Sequence, residues 1–176
     1  SYRGPGISEL ILAFVLQGDG GQPGLFLQAP NGPVTLIANT NTAIPGGTGN
    51  FAGLLSGPSI SGGNVAFSAT GAAGQHGVYA TLNGTLTKIA DLNTPVPDGT
   101  GNFVNPPGDP SISGQNVAFI GNGGGGQQGV YLKVPANPLS VVADTNTAIP
   151  GGTGNFTGFP DNPCALVGEA VAFIGS

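Results

Sequence analysis

The chain repeats itself with a period of about fifty residues, and no other feature restricts its fold as strongly. Phe14, Phe67, Phe119 and Phe173 hold one position, at spacings of 53, 52 and 54 residues. Phe26, Tyr79 and Tyr131 hold a second position; Phe51, Phe103 and Phe156 hold a third, each closing a Gly-Thr-Gly-Asn-Phe word. Such a period marks solenoids, propellers and strand arrays, in which one unit buries its apolar face only against the next copy. The copies span about residues 5–57, 58–109 and 110–162, with a partial fourth at 163–176, and they read as a single repeat domain over 1–176.

Composition turns the repeat into strands. With 34 Gly, 16 Pro and no Met or Trp, and with Val, Thr, Ile and Phe flanked by Gly, Asn and Pro, the sequence predicts short strands, tight turns and no significant helix. The 39% hydrophobic residues fall in regular clusters and can offset the ordering entropy that so much Gly and Pro implies. In the second copy the expected strands are 58–61, 64–69, 77–82 and 85–90. Gly62-Gly63 and Asn83-Gly84 are two-residue hairpin signals, and 71–77 reads as a longer glycine loop. Period-2 alternation directs Val65, Phe67 and Val78 to one neighbouring sheet and Ala66 and Tyr79 to the other. A long connection follows at 91–107, with counterparts at 39–57 and 144–162; Asn-Thr-Ala-Ile-Pro-Gly-Gly-Thr-Gly-Asn-Phe stands at 41–51 and again at 146–156.

Pro-Ser-Ile-Ser-Gly-x-Asn-Val-Ala-Phe at 58–67 and 110–119, followed by Gly-Val-Tyr and then Leu-Thr-Lys-Ile-Ala, resembles the TolB-type β-propeller repeat, a relative of the WD-repeat blade. The resemblance covers the strand portions of all three copies. It implies an all-β, β-propeller-like array of tandem four-stranded antiparallel blades, and it transfers no binding or catalytic residue. The family's Ser-Pro-Asp-Gly turn is replaced here by Ser61-Gly62-Gly63 and Ser113-Gly114-Gln115, and its repeats lack the Pro-Gly-Gly-Thr-Gly-Asn-Phe insertion. Propellers close with four to eight blades. Three copies and a fraction therefore imply part of a longer propeller, half of a six-bladed dimer, or one protomer of an open array.

Charge and chemistry narrow the function. Three cations (Arg3, Lys88, Lys133) against eight carboxylates give a formal charge of −5, so nucleic acid is not an expected partner. A surface this poor in charge points to an extracellular or cell-surface setting, and the start at Ser1 without Met to a processed or partial form. The longest apolar run, residues 10–16, is far too short for a transmembrane segment. Cys164 is alone and reads as a core residue, an intermolecular disulfide being the alternative. His76 reads as a solvated loop histidine, the carboxylates are dispersed, and no zinc cluster is present, so no enzyme, catalytic residue, metal or cofactor is expected. Gly121–Gly126 spells G-x-G-x-x-G without the following helix that would bind phosphate. Asp91, Asn93, Asp98 and Asn102 offer oxygens for a weak calcium site or, as the plainer reading, turn-forming side chains. Asn83 and Asn155 begin N-glycosylation sequons.

Two functional expectations result. The first is a non-enzymatic structural protein that assembles with copies of itself into a filament or surface layer. Its expected subunit interface joins Leu10, Ile11, Leu12, Phe14, Val15 and Leu16 at one end to Val171, Phe173 and Ile174 at the other. The alternative for residues 10–16 is a central strand buried on both faces. The second expectation is a lectin-like or adhesive module that holds glycans among Phe51, Phe103 and Phe156 of the repeated loops, against the plainer reading that these rings plug gaps between sheets.

Overall fold

Glycine and asparagine turns cut the chain into short strands, each just long enough for one hairpin arm. A computed structural model describes residues 6–8, 11–19, 21–54, 57–104, 108–160 and 164–176, among which there are fifteen strands and no helix. The first sheet contains β1 (Gly6–Ser8), β2 (Ile11–Gln17), β3 (Pro23–Gln28) and β4 (Val34–Asn39), paired in chain order. The second contains β5 (Phe51–Leu54), β6 (Ser59–Ser61), β7 (Asn64–Gly71), β8 (His76–Leu82) and β9 (Thr85–Asp91); β5 and β6 share one edge of β7. The third contains β10 (Ser111–Ser113), β11 (Asn116–Asn122), β12 (Gln128–Lys133) and β13 (Leu139–Asp144). A hairpin of β14 (Ala165–Val167) and β15 (Ala170–Ala172) follows. All pairings are antiparallel, and each sheet is open.

The turn chemistry acts as the sequence requires. Asn83 and Gly84 have φ of 52° and 79°, the left-handed pair that a tight hairpin turn matched to strand twist needs. Each full sheet also carries a bulge at one equivalent place, between Leu25 and Phe26, Val78 and Tyr79, and Val130 and Tyr131. An extra residue there increases the local twist, and its threefold recurrence makes it part of the repeat.

Sheets pack face to face in a row, always with the same two kinds of surface in contact. One surface of each sheet is aliphatic and the other aromatic. The aliphatic face of the first sheet (Ala13, Leu25, Ala38) meets the aromatic face of the second (Val65, Phe67, Tyr79). The aliphatic face of the second (Ala66, Val78, Ala80) meets the aromatic face of the third (Val117, Phe119, Tyr131). The aliphatic face of the third (Ala118, Ile120, Val130) meets Leu166, Val171 and Phe173 of the hairpin region. Burying each large side chain contributes roughly 1.5–3 kcal/mol, so these junctions are where most of the stability resides.

Two readings of the second repeat need correction. Val78 and Tyr79 point to the opposite faces from those expected, because the register pairs Phe67 with Tyr79 and Ser68 with Val78, and directly opposed residues share a face. His76 is not in the loop, which is confined to 72–75; it opens β8 opposite Thr70 and is half-buried.

Candidate functional site

Each junction is held by more than apolar contact. Phe51 arrives on β5 and enters the gap between the first two sheets, 4.9 Å from the Tyr79 ring and nearly perpendicular to it. Phe103 repeats that geometry against Tyr131, also at 4.9 Å. Both rings are buried, at 2% and 1% exposure, so neither is available to stack on a glycan; the gap-plugging reading describes them. Phe156 is half-buried against Phe159 and Phe173.

Polar stitches run along the edges of the junctions. The Ser59 and Ser61 hydroxyls accept from the backbone N–H groups of Ile112 and Gly114, and the Asn64 amide donates to the Gly114 carbonyl at 2.8 Å. One repeat later Ser113 accepts from Gly168 N–H, Asn116 donates to the Gly168 carbonyl, and Ser111 donates to the Cys164 carbonyl. The motif Ser-Ile-Ser-Gly-x-Asn therefore specifies both a hairpin and its attachment to the next one.

Both outward faces of the row are apolar. On the first sheet no described residue packs on the aromatic face: Phe14 and Phe26 stack with centroids 5.9 Å apart, and Leu16, Val34 and Leu36 are at least half exposed. On the hairpin, Ala165, Val167, Ala170, Ala172 and Ile174 are all exposed. Five of the seven exposed large hydrophobics among the described residues lie on these two faces: Leu16, Val34, Leu36, Val167 and Ile174.

The expected interface residues divide accordingly. Leu12, Phe14, Leu16 and Ile174 lie on outward faces. Ile11, Val15, Val171 and Phe173 do not, because strand alternation turns them inward: Val15 packs in the core with the second sheet, and Val171 and Phe173 pack against the third. Leu10 lies outside the described residues. β2 is a central strand, between β1 and β3, but described residues cover only one of its faces. Sequence reading missed Val34, Leu36 and Val167; Val167, where the earlier repeats have Ser61 and Ser113, carried a signal, whereas Val34 stands where they have Leu86 and Leu139 and gave none.

The connections begin with a recurrent turn. The Asp91 Oδ1 accepts from Asn93 N–H and the Thr94 hydroxyl, and its Oδ2 pairs with the Lys88 ammonium at 3.0 Å. Asp91 thus serves as a turn-forming side chain with its oxygens engaged, and no group of three metal-ligating His, Cys, Asp or Glu exists among the described residues. Burial pushes the Asp144 carboxyl up, but hydrogen bonds from Thr147, Asn146 and Gln127 outweigh it and hold the group below the ordinary carboxylate range. The Tyr79 and Tyr131 hydroxyls are buried without a hydrogen-bond partner, and burial, with the Asp91 and Asp144 charges, pushes each up to about 12. Cys164 is buried in the third junction, and that burial raises its thiol. Asn83 and Asn155 are exposed; the Asn83 amide donates to Gln115 Oε1, and the Thr157 hydroxyl of the second sequon donates to the Ser176 carbonyl.

Over residues 7–175 the sequence matches the family described as "Family of unknown function (DUF7453)". No curated protein and no solved structure matches the chain.

Proposed function

Because the chain belongs to DUF7453, over nearly its full length, we propose a role from its own geometry: a non-enzymatic, extracellular or cell-surface structural protein that assembles with copies of itself. Each sheet is read as one blade of a β-propeller-like array. Supporting that reading, the strands of each sheet pair in chain order, and β1, β6, β10 and β14 lie next to one another, as the innermost strands of blades do. The charge-poor composition favours the extracellular setting, where Asn83 and Asn155 are candidate glycan attachment points.

One observation carries the assembly. The aromatic face is covered by the preceding sheet in the second and third sheets, yet on the first sheet no described residue covers it, and Leu16, Val34 and Leu36 are 50–56% exposed. A contiguous apolar face of that kind is a protein-association surface. Sedimentation velocity of the purified chain over a dilution series, with negative-stain electron microscopy of the concentrated end, tests the reading. Concentration-dependent polymers, regular in the micrographs, are expected; a monomer at every concentration overturns self-assembly.

A further inference from the structure

The first sheet and the hairpin each present a face that no described residue covers, and the substitutions on those faces favour apolar contact. On the hairpin, Ala165 and Val167 replace the stitching serines (Ser59 and Ser61, Ser111 and Ser113), and Ala170 replaces the stitching asparagine (Asn64, Asn116). On the first sheet's aromatic face, Phe26 replaces Tyr79 and Tyr131, Leu36 stands where the second repeat has Lys88 and the third Val141, and Leu16 replaces Ala69 and Gly121. Each change removes a hydrogen-bonding group, removes a charge or enlarges an apolar side chain. Each occurs at an outward position.

The two faces are also opposite in kind. The hairpin presents the aliphatic surface and the first sheet the aromatic one, which are the two surfaces joined at every internal junction. We infer that the outward face of hairpin β14–β15 docks on the bare aromatic face of the first sheet of a second copy, continuing the internal packing scheme from chain to chain but without side-chain stitches. This inference rests on the self-assembly reading above and names its partner surfaces. The contact is heterologous, so a given end can never satisfy itself, and propagation is open unless the rotation between copies closes a ring. It is also dry at the positions where internal junctions use Ser and Asn. The six outward residues Leu16, Val34, Leu36, Val167, Ala170 and Ile174 are uncharged, and the hairpin's carboxylate, Glu169, lies in its turn.

The test uses one variant blocked at each end. Val167→Lys with Ile174→Lys places two charges on the outward face of the hairpin; Leu16→Thr with Leu36→Thr places good strand formers on the first sheet. All four positions are exposed, so far-UV circular dichroism and melting temperature should match the parent chain. In sedimentation velocity each variant alone is expected to stay monomeric, its association weakened by at least about a hundredfold. A one-to-one mixture is expected to form heterodimers that grow no further, because one free hairpin face meets one free sheet face. If the parent chain polymerises but the hairpin variant still does so, or either variant dimerises alone, the inference is overturned while self-assembly stands. If the parent chain itself never associates, both fail.

Discussion

Tyr79 and Tyr131 bring a hydroxyl into buried junctions beside Asp91 and Asp144; at the equivalent positions the first repeat has Phe26 and Asn39. Their phenols hold the proton to about 12, while an unfolded chain releases it near 10. The unfolded state therefore loses protons first. Stability is full below about pH 10 and falls as the pH climbs from about 10 to about 12, by about 2–3 kcal/mol per tyrosine at the upper limit. The Tyr79→Phe, Tyr131→Phe double variant should change stability at neutral pH by no more than about 1 kcal/mol, since no hydrogen bond is lost. It should also flatten the alkaline decline. Thermal melts from pH 7 to 11 check both; an equally steep decline in the variant would show that other groups cause it.

At the scale of an element, the connection between sheets is the informative piece. Phe51→Ala should cost about 3–5 kcal/mol by urea denaturation, since it empties a fully packed gap beside Tyr79 and Phe67. Phe156→Ala, at a half-buried site, should cost less than half of that. Equal and small losses would mean that the rings are peripheral after all. The strands and hairpin turns were legible in the sequence, because Ser-Gly-Gly-Asn and Asn-Gly permit few other conformations between β-branched runs. The destination of Phe51 was not legible. An aromatic ring ending a glycine-rich word looks the same whether it faces solvent or the neighbouring sheet; the pairing of β5 with the far half of β7 decides it. The facing of Val78 and Tyr79 was obscured in the same way: alternation gives the period of a strand, but only the cross-strand register gives its phase. The outward faces were half legible: the apolar load of residues 10–16 was plain, that of Val167 was visible only against the repeat, and Val34 matches Leu86 and Leu139, so only its lack of cover sets it apart.

Across the molecule, cover is uneven, and protection should follow it. The second sheet is packed on both faces, the first on one, and the terminal hairpin has two short strands with a bare outer side. Amide hydrogen exchange in the monomeric end-blocked chain should therefore be slowest in β7 and β8 and faster in β14 and β15 by at least about a hundredfold. Uniform exchange would indicate a single cooperative unit in which position along the row has no effect. In each of the first three sheets, strands pair only with strands of the same repeat or with the segment immediately before it, and the ring that seals the first gap, Phe51, precedes the sheet it seals. A ribosome delivers the chain in that same order. When β9 emerges, every strand partner of the second sheet and the plug beneath it have already been synthesised, so strand pairing can keep pace with translation, and only the sheet's aliphatic face and its serine and asparagine stitches await the third sheet.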